Sequence, residues 1–260
     1  MRNYEKTNPE KPALILQQKI VEEDIVPIVE PIKNAGENYR KEDGVLFPKS
    51  FFVVVSGGEK TERLYFKIIS NQDKFERIKI EFIADAKHLN PKGLFETALY
   101  KQEHYKTSQE NEPDKIYIVS DVDDFLSELL EIKPHCEKMD ISLIINNSCF
   151  EIWLYYAYFA KITGFVVPEN SLKISKSFRR WMPNSINPAK AILNIEQNIK
   201  NAKSHYEENE NGIPKLLSTN MFLLAEDILP LIASELKKVI VENEQRTHLH
   251  KSKKQEKTCP

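Results

Sequence analysis

The chain has 260 residues, 41% hydrophobic and 29% charged, which suits one domain with appendages or two small domains and excludes a wholly disordered chain. A formal net charge of -2 excludes a polybasic nucleic-acid binder, so any contact with nucleic acid has to come from a local basic patch. Three widely spaced cysteines (Cys136, Cys149, Cys259) make neither a disulfide framework nor a zinc spacing, and neither an apolar leader nor a run long enough to cross a bilayer is read, so a cytoplasmic, non-membrane protein is expected.

Residues 1–48 are charged and proline-spaced and read as an N-terminal extension, with Ile25 to Ile32 able to add a strand. The regular pattern begins at Phe51 to Val55, a continuous β-branched and aromatic run of the kind buried on both faces of a parallel sheet. A Ser56-Gly57-Gly58 turn follows, then a helix over Thr61 to Ser70 with Leu64, Tyr65, Ile68 and Ile69 on one side. Ile78 to Ile83 is a second strand. Asn90-Pro91 opens a second helix, because proline at the first helical position loses no useful N–H. Ile116 to Val119 is a third strand, Phe125 to Ile132 a helix closed by Pro134, and Ile141 to Ile145 a fourth strand. Ser148 opens a helix through Phe159.

Strictly alternating strands and helices predict an α/β fold with a four-stranded parallel sheet flanked by helices over residues 49–165. After Gly164 the pattern is helical only. Asn187-Pro188 starts one helix, carrying Ile192, Ile195, Ile199, Ala202 and Tyr206, and another runs from Thr219 with a kink at Pro230. The helical region is placed at residues 166–245 and a frayed basic tail at 246–260, where Lys251, Lys253, Lys254 and Lys257 read as solvated.

Open parallel sheets place their sites beyond the carboxyl ends of the strands. Two such ends are acidic here: Glu59 and Glu62 follow the first strand, and Asp121, Asp123 and Asp124 follow the third. Aspartates two apart on an extended segment point to the same side. Converging carboxylates repel each other unless a cation neutralises them, and an all-oxygen donor set suits Mg²⁺ or Mn²⁺. Metal ligation is therefore expected at Glu62, Asp121 and Asp123, with Asp124 read as the cap of the following helix. Gly57 to Thr61 does not make a phosphate-binding P-loop, because Glu59 stands where that loop needs glycine.

Ser148 and Glu151 have the spacing of a helix capping box; the competing reading turns Asn147 and Glu151 toward the acidic site from the fourth strand end. Lys176, Arg179 and Arg180 interleave with Phe178 and Trp181, which suits phosphate contact and base stacking, and equally suits a solvated helix face.

The ordered set Gly58-Glu59-Lys60-Thr61-Glu62 with Tyr65-Phe66, then Asp121 and Asp123, then Asn147, Phe150, Glu151 and Trp153, resembles the RloB-like family. That family is similar to Toprim proteins, in which a glutamate follows the first strand and an Asp-x-Asp the third. The resemblance implies a bacterial, cytoplasmic, Mg²⁺-dependent nuclease associated with anti-phage defence, acting on DNA or RNA, with an ATPase as partner. It implies catalytic roles for Glu59, Glu62 and Asp123. One departure is plain: the place of the usual Toprim glutamate, just before the glycine of the turn, is Gly57. A second class of function stays open beside the nuclease: a catalytically degenerate subunit that binds or regulates a partner protein.

Overall fold

The computed structural model describes residues 39–42, 45–48, 50–70, 75–84, 90–108, 112–123, 125–170 and 173–256, with backbone only for 39–42, 45–48 and most residues after 242. The strand expected at Ile25 to Ile32 lies outside them, as do Asp124, Lys257 and Cys259. A short antiparallel hairpin, β1 (Tyr39–Glu42) and β2 (Val45–Pro48), falls in what the sequence assigns to the N-terminal extension.

The predicted alternation is present. β3 (Ser50–Ser56), β4 (Ile78–Ala84), β5 (Lys115–Asp121) and β6 (Ile141–Asn147) form parallel pairs in the order β4-β3-β5-β6. A fifth strand, β7 (Ser218–Thr219), closes the edge antiparallel to β6, pairing Thr219 with Asn146 and Ser218 with Asn147. Two polar residues carry no strand periodicity, so the sequence pattern misses β7.

Both faces of the sheet are covered, which is why its central strands read as unbroken apolar runs. Phe51, Val53 and Val55 pack with Ile116 and Ile118 against Leu94, Ala98 and Tyr105 of α2 (Pro91–Thr107) and Ile132 and Cys136 of α3 (Leu126–Lys138). Phe52, Val54, Tyr117 and Val119 point the other way, toward Tyr65, Phe66 and Ile69 of α1 (Thr61–Ser70) and Trp153 of α4 (Glu151–Tyr156). That larger core also takes Phe178 of α5 (Ile174–Trp181), Ala191 of α6 (Pro188–Ala191), Ile195 and Ile199 of α7 (Ile195–Ser204), and Ile228 and Ile232 of α8 (Phe222–Glu256). No helix among the described residues is long and apolar enough to cross a membrane.

Several boundaries differ from the sequence expectation for physical reasons. α3 runs through Pro134 to Lys138, because fully buried Cys136 anchors its last turn against the sheet and outweighs one missing N–H. α8 holds Pro230 inside it, as read, but continues to Glu256, past the point where fraying is expected. The helix expected from Ser148 to Phe159 is only Glu151–Tyr156, and no capping box forms: Phe150 is at the cap position without a side-chain bond, and the Ser148 hydroxyl is buried without a hydrogen-bond partner. The Asn187 helix does begin as read, with the Asn187 carboxamide accepting from Ala189 N at 3.0 Å, but a 3-10 turn at Ile192–Asn194 breaks it before α7.

The edge of β6 is finished by side chains rather than by a long strand. Asn220 Oδ1 accepts from Ile145 N at 2.6 Å, and its Nδ2 donates to Leu143 O at 3.3 Å, so one carboxamide satisfies two backbone groups next to the short β7. Asn220→Ala leaves the buried Ile145 N–H without its partner and should lower stability by about 1–3 kcal/mol, read from chemical denaturation. A loss of only a few tenths would mean the edge reseals without this carboxamide.

Candidate metal and acid cleft

Beyond the carboxyl ends of β3 and β5 lies a cleft of about 700 Å³, lined by Gly57 to Glu62, Ser120, Asp121, Asp123, Glu151 and Arg179 among others. The topology dictates the meeting. β3 and β5 are hydrogen-bonded neighbours, so the β3–α1 turn and the end of β5 open at the same place, while Glu151 at the start of α4 follows the end of β6, the next strand along.

Glu62 stands in the first turn of α1. Its carboxylate fills the volume that a side chain at position 58 would need, which accounts for Gly58 in the turn. Burial raises the Glu62 pKa; the bond from its own backbone N–H opposes the shift, the nearby Glu151 charge adds to it, and Arg179 opposes it. Glu59 also lines the cleft but is exposed.

Asp121, the last residue of β5, is the centre of the cluster. Its side chain is 20% exposed, and burial first, then the charges of Glu62, Glu151 and Asp123, push its pKa well above the ordinary carboxylate range against the pull of Arg179. Oδ1 accepts from Asn146 Nδ2 at 3.3 Å and Oδ2 lies 3.4 Å from Arg179 Nη2. Asn146 is held in turn by β7: Thr219 Oγ1 donates to Asn146 Oδ1 at 2.7 Å while accepting from Met221 N at 3.0 Å.

Asp123 does line the cleft, though not through strand alternation. β5 ends at Asp121, and Asp123 lies in a turn at φ +27°, an unusual value outside glycine. Its carboxylate accepts from the Ser175 hydroxyl of α5. Glu151, buried, pairs with Arg179, whose Nε is 2.9 Å from Oε2. Burial works against the charge of Arg179, but the Glu151 and Asp121 carboxylates outweigh it and hold the guanidinium even more firmly protonated than usual.

The structure therefore brings Glu59, Glu62, Asp121, Asp123 and Glu151 to one cleft. It turns Asn147 elsewhere: Asn147 Nδ2 donates to Pro214 O at 2.7 Å, and its neighbour Asn146 is the residue that reaches Asp121. Of the basic residues on α5, Arg179 faces the carboxylates, while Lys176 and Arg180 are exposed. Phe178 is fully buried, and Trp181 packs on Phe165 and Tyr155 at 5.4 Å between ring centroids, so these rings belong to the core and not to a stacking surface. Sequence reasoning missed Asn146 and Ser175, whose types are common and whose roles arise from contacts across 25 and 52 residues. Among the described residues, no three acidic, histidine or cysteine side chains are gathered tightly enough, as they stand, to hold a metal ion.

The raised Asp121 pKa has a consequence for stability. A group whose folded pKa exceeds its unfolded value stabilises the fold below the unfolded pKa, and that stability is lost as pH rises through the folded pKa. At neutral pH the Asp121 carboxyl thus supports the fold less than it does in acid. In Asp121→Asn, melting in the absence of divalent cations should occur about 2–4 °C higher at neutral pH, the shift of roughly 1 kcal/mol in a chain of this size. The gap should close as pH approaches the ordinary aspartate value of about 3.9. Equal melting curves for the two proteins at neutral pH would contradict the strained cluster.

No curated protein and no solved structure matches the chain. The family model described as RloB-like protein matches residues 52–228, the stretch that runs from β3 into α8 and contains every acidic residue of the cleft. On that match, over more than half of its length, this chain belongs to the RloB-like family.

Proposed function

We propose that the chain is a Mg²⁺- or Mn²⁺-dependent nuclease of Toprim type that hydrolyses phosphodiester bonds of DNA or RNA, acting in bacterial anti-phage defence in the cytoplasm, with an ATPase protein as partner. The observation that carries the reading is the convergence of Glu62, Asp121 and Glu151 from three separate strand ends into one cleft, with Glu62 and Asp121 shifted toward protonation. Folding does not gain from packing like charges together; a bound cation or a transferred proton does.

The donor set fits a hard divalent cation in type, since every candidate ligand is a carboxylate oxygen. Glu62, Asp121 and Asp123 would hold it, and it would supply Lewis-acid stabilisation of the phosphate and a more acidic water. The chain's own residues do the rest. Asn146 orients Asp121 through Oδ1, and Ser175 orients Asp123. Glu62, favoured toward protonation by its surroundings, is placed to exchange a proton with the attacking water, and exposed Glu59 stands beside it as the second candidate. Gly57 supplies no carboxylate at the usual Toprim position, so on this reading Glu62 stands in for it.

Wild-type protein incubated with Mn²⁺ should cleave at least one of single-stranded DNA, duplex DNA, RNA and tRNA. Asp121→Asn and Glu62→Gln should each cut at least about 100-fold more slowly, since the amides keep the shape and lose the charge. Full activity in both variants removes the assignment. The Gly57 departure favours one competing reading, a degenerate subunit that regulates a partner. That reading calls for an inactive wild type under every metal and a trace of cutting restored by Gly57→Glu.

Lys176 and Arg180 are exposed on α5, the helix that also carries Arg179 into the cleft, and Lys176 lies one turn before Arg179 on the same helix face. They would meet the nucleic-acid backbone beside the cleft. The double replacement Lys176→Ala with Arg180→Ala should weaken nucleic-acid binding and reduce the slope of log affinity against log salt by about 2. An unchanged slope returns both to a solvated helix face.

A further inference from the structure

The contacts of Arg179 are unequal. Its Nε lies 2.9 Å from Glu151 Oε2 as an ion pair, and its Nη2 donates to Asp121 Oδ2 at a longer 3.4 Å. Asp121 is loosely held on its other oxygen as well, at 3.3 Å from Asn146. The guanidinium end can leave Asp121 without breaking the Glu151 pair, because the two carboxylates are reached through different nitrogens. It can do so without unpacking the protein, because the Arg179 side chain is 45% exposed while α5 itself is anchored by buried Ile174, Ser175 and Phe178. A positive charge from the chain lies against both Asp121 and Glu151, and among the described residues no three candidate ligands are gathered closely enough for a metal ion.

Resting on the reading of this cleft as a metal site, we infer that Arg179 is a built-in counter-cation. In the metal-free protein it holds the charge position of a divalent cation on Asp121; cation binding displaces it from Asp121, while Glu151 keeps it tethered at the cleft wall. Two consequences follow from charge alone. A competing guanidinium lowers the affinity of the carboxylates for metal, since part of their negative charge is already neutralised. Once released, the guanidinium has hydrogen-bond donors free beside the cation, where they suit a phosphate oxygen, so cation binding and phosphate binding reinforce each other. A purely structural ion pair makes the opposite prediction: removing Arg179 would loosen the ligands and weaken the site.

The test is calorimetric titration of the full chain with Mn²⁺, without substrate, on wild type, Arg179→Met and Asp121→Asn. Arg179→Met should bind Mn²⁺ about tenfold more tightly than wild type, a gain of about 1.4 kcal/mol, and Asp121→Asn should bind far more weakly. Equal or weaker binding by Arg179→Met, with wild type binding and Asp121→Asn failing, overturns the inference and leaves the metal site standing. No Mn²⁺ binding by either wild type or Arg179→Met overturns both. If Arg179→Met does not fold without metal, Arg179→Lys serves, because the shorter ammonium cannot hold both carboxylates at once. Affinity raised roughly threefold, about 0.7 kcal/mol, supports the exchange, and unchanged affinity overturns it.

Discussion

The constraint on which the site depends is the mutual repulsion of carboxylates at the carboxyl ends of neighbouring parallel strands. β3, β5 and β6 lie side by side, and the end of β5 and the first turns of the helices after β3 and β6 carry Asp121, Glu62 and Glu151. Burial at the strand ends raises the pKa values of Asp121 and Glu62, and the neighbouring carboxylate charges add to the shift. A single guanidinium, Arg179, offsets part of it by touching two of the three carboxylates.

A scaffold can hold such a strained cluster only if the elements around it are overdetermined. Here the strands bury both faces, with Val53, Val54 and Val55 all fully enclosed, so the strand ends have little freedom to drift apart. The polar side is managed by a short relay that runs from Met221 N through Thr219 and Asn146 to Asp121. β7 is only two residues long, yet it orients the amide that meets the central aspartate. α5 does two tasks at once: its buried face joins the aromatic core through Phe178, and its other face delivers Ser175 to Asp123 and Arg179 to Asp121 and Glu151.

Membership of the RloB-like family places the chain among relatives without assigning its chemistry, and the proposed nuclease activity stands on the cleft. Gly57 sharpens the question. With no carboxylate at that position, proton transfer on the proposed reading falls to Glu62, whose carboxylate lies where a side chain at position 58 would stand. The glycine pair thus has two different tasks, one as a departure from the expected acid and one as room for the acid that replaces it.

Much of the fold was legible in the chain because two-face burial leaves continuous apolar runs and because Asn-Pro pairs mark helix starts; the four parallel strands were read close to their observed bounds. Pro134 misled, since local propensity cannot weigh the burial of Cys136. The acidic residues were legible as well, because they follow strand ends. Their surroundings were not. Asn146 rather than Asn147 reaches Asp121, Ser175 restrains Asp123, and of the exposed basic residues on α5 Arg179 is the one that meets Asp121 and Glu151. Sequence by itself determined the strand-helix order and the stock of carboxylates at the strand ends, because periodicity and turn chemistry are local. Tertiary structure alone decided which amide and which arginine meet them, because those contacts span 25 to 58 residues and depend on how the helices after β6 pack back over the sheet.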